Sequence, residues 1–223
     1  IGEKKYGGQD LPLSAVVMVN EIWHSTNMSF STNNMLTQGA VELLESHGNE
    51  KQKEYYLPNL ISGKWSGTMN LTEPHAGSDL SSIKTKAIEK DKKFLIKGTK
   101  IYITHGDQDM SDNIIHLVLA KLPNAPEGVR GISLFLVPKY YLNDKGTKVK
   151  NDIKVVSVEH KLGHNASPTC VLSFGENEGA IGELVGEPNQ GLKAMFTMMN
   201  NARLNVGVQG LAISERAYQK ALN

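Results

Sequence analysis

The alternation of apolar and polar positions divides the chain into a helical beginning, a strand-rich middle and a helical end. Apolar residues recur at helical spacing over residues 13–27, and the same spacing predicts helices over 32–46 and 50–61. Between residues 64 and 184 the apolar positions form short runs bounded by turn residues, which predicts strands. A long helical pattern returns after Gly191.

The strand-rich middle is predicted to form a small β domain. The predicted strands are 65–71, 85–89, 94–100, 114–120, 132–138, 155–158 and 169–174. Short strands at this spacing are typical of a small barrel or sandwich, and the polar residues 140–152 are predicted to be an excursion between strands. The pattern therefore predicts an α+β fold with three parts, 1–62, 63–186 and 187–223.

The composition excludes several classes of protein. The chain has 223 residues, of which 39% are hydrophobic, and a formal net charge of +1, which argues against a broadly basic nucleic-acid binder. No apolar run is long enough to span a membrane, and no secretory signal pattern is present. Cys170 is the single cysteine, so an intrachain disulfide is excluded and we expect a reducing compartment, the cytoplasm.

Two stretches, 69–79 and 101–106, carry the most chemical information. Each reads as a strand end that runs into a turn of small and polar residues. Around Gly77 the backbone can approach a ligand closely, and successive N–H groups in such a turn form a concavity suited to phosphate. Thr104 presents a hydroxyl that could meet a flat ring rich in heteroatoms, with Tyr102 as an aromatic wall. By itself, either stretch is also compatible with a hairpin or surface turn.

Taken together, the two stretches resemble a known family. Residues 72–79 (Thr-Glu-Pro-His-Ala-Gly-Ser-Asp) followed by 102–106 (Tyr-Ile-Thr-His-Gly) resemble the flavin-binding signature of the acyl-CoA dehydrogenases. The similarity extends from about Asp10 to the last residue. It implies an N-terminal helical domain, present here in part, a middle β-barrel domain, and the start of a C-terminal helical bundle.

The resemblance implies FAD as the cofactor and assigns residues to it. Thr104 would lie at flavin N5, Thr72 near the N1/O2 edge, and Gly77 with Ser78 at the pyrophosphate. The implied cofactor-binding residues are Met69, Leu71, Thr72, Gly77, Ser78, Tyr102, Ile103 and Thr104. Two of them depart from the family pattern, because Tyr102 stands where tryptophan is usual and Met69 where an aromatic residue is frequent. Tyr102 could alternatively be an aromatic residue packed in the core.

The same resemblance implies an acyl-CoA substrate. Arg203 would lie near the CoA moiety, and Ser78 and Ser167 are further candidates for contact with it. A surface salt bridge is the alternative for Arg203. His160 and His164 are four residues apart, but no carboxylate or cysteine ligand accompanies them, so we expect structural histidines and no metal.

The implied reaction is α,β-dehydrogenation, in which a carboxylate removes the α-proton and the β-hydride goes to flavin N5. In some family members the glutamate that acts as the catalytic base immediately precedes the helix arginine, and this chain has Ala202 at that position. The chain also begins at Ile1 without a methionine and stops within a helical pattern. We therefore expect part of a longer protein, with the catalytic base beyond Asn223 and no activity in this chain alone. An electron-transfer flavoprotein is the expected acceptor, and a homodimer or homotetramer the expected assembly.

The segment 131–163 and the helix sequence 197–207 resemble the large subfamily that contains 3-methylmercaptopropionyl-CoA dehydrogenase. Two other interpretations remain open. One is a DNA-associated flavoprotein of the alkylation-response type with little dehydrogenase activity. The other is an interaction or structural fragment that binds no cofactor.

Overall fold

The computed structural model describes residues 2–91 and 93–223, and this part of the chain contains three α-helices. Their bounds are α1 (Leu13–His47), α2 (Glu50–Ile61) and α3 (Gly191–Leu222). Helix α2 begins at a capping box, in which Asn49 and Gln52 exchange side-chain to backbone hydrogen bonds. Both α2 and α3 are confirmed at the positions that the sequence pattern predicts.

Helix α1 contains the two helices that the sequence predicts, and they are separated by a kink at Asn27 rather than by a gap over residues 28–31. Only Asn27 leaves the helical conformation, with φ −149° and ψ 89°. Its side-chain oxygen accepts a hydrogen bond from Phe30 N at 3.1 Å, which caps the second half of the helix. The Arg216 guanidinium donates to Ser25 O at 2.7 Å and so caps the first half. These two caps allow the helix to resume directly after a kink.

Ten strands are present in the described residues. Their bounds are β1 (Trp65–Asn70), β2 (Lys86–Lys90), β3 (Lys93–Thr104), β4 (Asn113–Lys121), β5 (Ile132–Pro138), β6 (Tyr140–Leu142), β7 (Lys148–Lys150), β8 (Ile153–Val158), β9 (Thr169–Phe174) and β10 (Ala180–Val185). The sequence pattern misses β6, β7 and β10. The excursion over 140–152 contains the short hairpin β6–β7, and β10 carries Gly182 and Glu183, which obscure its strand pattern.

The pairing of the strands closes a small barrel. Strand β4 pairs with β5, β5 with β10, β10 with β3, and β3 with β2, and β2 returns to β4 through the pair Lys86–Lys121. Strand β1 lies beside β4 and pairs with it in parallel. The second half of β3 leaves the ring and pairs with β9, which in turn pairs with β8. The ends of β1 and β3 are thereby brought to one side of the barrel.

Two apolar cores hold these layers together. One lies between the sheet and the helices, where Leu43, Leu57 and Leu117 are fully buried. The other fills the barrel around Phe135 and Phe174. Strand β4 serves both cores, since successive side chains of a strand point to opposite faces. No helix in the described residues is both long and apolar enough to cross a bilayer.

Candidate functional site

The ends of β1 and β3 lie side by side, so the two stretches singled out in the sequence are neighbours in space. Ile101 N donates to Thr72 O at 2.9 Å. One residue earlier on each segment, Lys100 Nζ donates to Leu71 O at 2.9 Å. Two consecutive carbonyl groups after β1 are thus held by two consecutive residues of β3. The two stretches therefore form one unit at the ends of β1 and β3.

Tyr102 stands out in the β3 segment because of its backbone and its exposure. The pairing of β3 with β9 shifts register between Lys100 and Ile103, which marks a bulge. Within it Tyr102 adopts φ 59°, a left-handed conformation that is strained for a bulky residue. Its side chain is 61% exposed. The alternative in which Tyr102 packs in the core is therefore wrong, and the ring is available to a ligand.

The end of β3 meets the segment that precedes β9. Thr104 is half-buried and pairs with Thr169, and His105 N donates to Pro168 O at 2.7 Å. Lys161 Nζ binds the carbonyl oxygen of Ser167 and also Thr169 Oγ1, the latter at 2.9 Å. The fold therefore brings Ser167 close to Thr104. Ser167 is only 2% exposed, which leaves it little surface for a ligand.

The turn after β1 presents backbone donors to solvent. Glu73 and Ala76 exchange two backbone hydrogen bonds, which close the turn at its base. The next three residues, Gly77, Ser78 and Asp79, are exposed, and their amides donate to no other described residue. Successive unpaired N–H groups of this kind fit an anionic group such as a phosphate. The turn thus leaves three successive backbone donors free for an anionic ligand.

Three predicted residues turn their side chains away from the exposed part of this site. Ile103 is buried, and Met69 and Leu71 are half-buried against the core between sheet and helices. Their position leaves mainly their backbone groups for contact with a bound ring. The departure from the family pattern at Met69 is therefore accommodated by packing.

Arg203 lies apart from these segments, on α3. Its guanidinium stacks over the Phe196 ring with 5.5 Å to the centroid, and it donates to Asn200 Oδ1 at 2.9 Å. It has no carboxylate partner within the described chain, so the alternative of a surface salt bridge is wrong there.

The described residues contain no group of His, Cys, Asp and Glu side chains that suits a metal ion, and His160 and His164 are exposed.

Comparison with known proteins places this geometry in a family. Residues 2–64 match the model of the N-terminal domain of acyl-CoA dehydrogenases, and residues 68–176 match that of the middle domain. The chain belongs to the acyl-CoA dehydrogenase family. Its described helices and mixed sheet are the N-terminal and middle parts of that fold, followed by a first C-terminal helix.

Individual relatives agree with this placement. The chain is 52% identical over 221 residues to 3-methylmercaptopropionyl-CoA dehydrogenase of Ruegeria pomeroyi, covering 98% of this chain and 37% of that protein. Butyryl-CoA dehydrogenase of Megasphaera elsdenii superposes with a TM-score of 0.80 at 26% identity, covering 99% of this chain and 55% of the other. A chain from structural work on the electron transferring flavoprotein of Acidaminococcus fermentans gives a TM-score of 0.78 at 27% identity, covering 99% and 55%.

Within this acyl-CoA dehydrogenase chain, the sequence analysis missed a buried ion pair between the two segments. Lys100 is fully buried, and its Nζ lies 2.8 Å from Glu73 Oε1. The carboxylate also accepts from Lys84 N at 2.7 Å and from Thr85 Oγ1 at 2.6 Å. The sequence did contain a sign of this burial. Lys100 lies an even number of positions after the apolar Ile96 on β3, so both side chains point to the same, inward face of the strand.

The protonation of this pair follows from its burial. Burial on its own would raise the pKa of Glu73, but the Lys100 ammonium and the donors from Thr85 and Lys84 hold it below its ordinary value. Burial lowers the pKa of Lys100 to about 8, although the charge of Glu73 opposes that shift. At neutral pH both groups are therefore charged.

Proposed function

We propose that this protein is an FAD-dependent dehydrogenase of acyl-CoA thioesters, and that this chain supplies most of its flavin site. The observation that carries the proposal is the junction of the 72–79 and 102–106 stretches at the ends of β1 and β3. It combines an exposed aromatic ring, a strand-end hydroxyl and three unpaired backbone amides, groups that could hold and orient a flavin dinucleotide. The interpretation as a fragment without cofactor gives no reason for the strained, exposed Tyr102.

The residues divide the work of holding the cofactor. Thr104 would offer its hydroxyl to N5, and the Thr72 side chain would contact the N1/O2 edge of the ring. Tyr102 would border the ring, while Gly77 and Ser78 would hold the pyrophosphate through their free amides. Bound FAD would accept the hydride that leaves the β-carbon of the substrate. The remaining predicted residues, Met69, Leu71 and Ile103, would contribute backbone contacts.

The substrate would be recognised by residues on α3, in the turn after β1 and in the segment before β9. Arg203, free of any carboxylate within the described chain, would pair with anionic or polar groups of CoA. Ser78 is exposed and could donate to the same moiety, while Ser167 could contribute only a small surface. Because Ala202 precedes Arg203, the α-proton would go to a carboxylate outside residues 1–223. The acyl group is proposed to be short, linear or thioether-containing, by likeness to the relatives named above.

The setting follows from the same likeness. An electron-transfer flavoprotein is the proposed acceptor, supported by the likeness to a chain from the Acidaminococcus work. A homodimer or homotetramer and a cytoplasmic location are proposed with it. We favour the dehydrogenase over the DNA-associated flavoprotein, because the relative with 52% identity is named a dehydrogenase.

The test is the visible absorption spectrum of the protein, expressed at its full natural length, after FAD is added and the excess removed. We expect a retained flavin band, and FMN should be retained far less, since it lacks the pyrophosphate that the Gly77–Asp79 amides would bind. Adding butyryl-CoA or 3-methylmercaptopropionyl-CoA should bleach the band. Absence of a retained band, or a band that no acyl-CoA bleaches, would overturn the proposal.

A second prediction concerns Arg203. We expect Arg203→Ala to weaken acyl-CoA binding about tenfold, mainly as a higher KM, because a charge-assisted hydrogen bond to an anionic group is lost. Arg216→Ala is the matched control on the same helix, since Arg216 caps α1 through Ser25 O and should affect stability but not KM. Binding titrations with the acyl-CoA would measure both. Equal affinity of Arg203→Ala and the parent protein for the acyl-CoA would show that Arg203 does not contact the CoA moiety.

A further inference from the structure

The ion pair between Lys100 and Glu73 is buried more deeply than stability alone would call for. Lys100 is 0% exposed and Glu73 is 3% exposed. Lysine is almost never fully buried, and replacing a buried ion pair by apolar residues of similar volume is often neutral or stabilising. The pair therefore calls for an explanation beyond the stability of the barrel.

The position of Lys100 suggests that explanation. Its ammonium binds Leu71 O as well as Glu73, so it fixes the direction of the carbonyl that precedes Thr72. In a planar trans peptide the N–H group points opposite to the C=O group. The Thr72 amide, which donates to no other described residue, is therefore aimed by Lys100. This amide belongs to the segment proposed to hold the flavin ring.

Glu73 ties the same segment to residues 84 and 85. Its carboxylate accepts from Lys84 N and Thr85 N at 2.7 and 3.1 Å, and from Thr85 Oγ1 at 2.6 Å. The carboxylate and the ammonium cancel each other in charge. If either is neutralised, the other remains as a buried net charge beside the ring site, where solvent and salt screen it weakly.

We propose that Lys100 and Glu73 are positioning residues of the flavin site, which aim the Thr72 amide and keep the buried charge beside the ring at zero, thereby setting the reduction potential of the bound flavin. This inference rests on the proposed function. It assigns a role to two residues that touch the cofactor only through the Leu71–Thr72 backbone. The reduced flavin carries more negative charge than the oxidised one, so its stability depends on the net charge left beside it.

The test is the reduction potential of the FAD-loaded protein of full natural length, measured by spectroelectrochemistry at pH 6 and at pH 7.5, each variant against the parent protein at the same pH. In Lys100→Met the Glu73 carboxylate keeps its donors from Lys84 and Thr85 but loses its cation, and the potential should fall at pH 7.5, where ionisation of the carboxylate is favoured, because negative charge on the ring is then disfavoured. Glu73→Gln leaves the Lys100 charge unpaired and should raise the potential at pH 6, where protonation of the lysine is favoured. The double variant buries no net charge and should return towards the parent value. Lys100→Met should also bind FAD about tenfold more weakly, since the Leu71 carbonyl is no longer held.

Lys154→Met, in the exposed pair with Glu176, is the control and should leave the potential unchanged. Shifts of the same sign in both single variants, or no shift in variants that retain FAD, would overturn the inference and leave the proposed function standing. If Lys100→Met fails to fold, the inference is still decided by the other two variants. Glu73→Gln should raise the reduction potential, and the double variant should bring it back towards the parent value. A parent protein that retains no FAD overturns both.

Discussion

Thr104→Ala is expected to slow reduction of the bound flavin by acyl-CoA by about tenfold to a hundredfold, while FAD affinity changes by less than about threefold. The proposed hydrogen bond from the hydroxyl to N5 strengthens as the ring gains negative charge, and a bond of this charge-assisted kind is worth about 1.5–3 kcal/mol. Retention of FAD depends on the remaining contacts, including the amides of the Gly77–Asp79 turn. Rapid mixing at saturating acyl-CoA would give the rate, and titration the affinity.

Two variants control for effects on packing. Thr104→Ser keeps the hydroxyl and should retain most of the rate. Thr99→Ala removes a half-buried threonine from the same strand, paired with Ser173 rather than placed at the strand end, and should leave the rate unchanged. A parent-like rate in Thr104→Ala would refute the N5 role and leave Thr104 as a strand residue.

Gly191→Ala is expected to lower the free energy of unfolding by about 3 kcal/mol or more. Gly191 begins α3 directly against β5, and a Cβ atom there would lie 2.2 Å from the carbonyl carbon of Ser133 and 2.4 Å from Leu134 N. Both are backbone atoms of a central barrel strand, so neither can rotate away as a side chain could. Denaturant unfolding with the linear extrapolation would measure the change.

Gly210→Ala provides the matched comparison on the same helix. A Cβ at Gly210 would meet no atom within 4 Å, and alanine is more favourable than glycine in a helix interior by about 1 kcal/mol. This variant should therefore be neutral or stabilising in the same unfolding measurement. Equal stability of the two variants would show that the contact between α3 and β5 is looser than the structure has it.

Much of the fold was predictable because local patterns carried it. The helical spacing over 50–61 and after Gly191 matched α2 and α3, since each helix presents one apolar stripe to the core. The apolar run of β4 was equally clear, because both of its faces are buried. In contrast, β10 was missed, since a strand containing Gly182 and Glu183 is stabilised only by its two neighbours.

The sequence by itself determined the motifs of this protein: a family signature in two stretches, a helix arginine and an almost neutral charge. These are local properties, and they needed no knowledge of distant contacts. Only the tertiary structure decided that Lys100 lies under Leu71 and Glu73, that Tyr102 is exposed at a bulge, and that Arg216 closes the kink of α1. Each of these depends on partners 27 to 191 positions away along the chain. Whether a buried charge is paired or a strand end is free depends on such distant partners, and no local pattern records them.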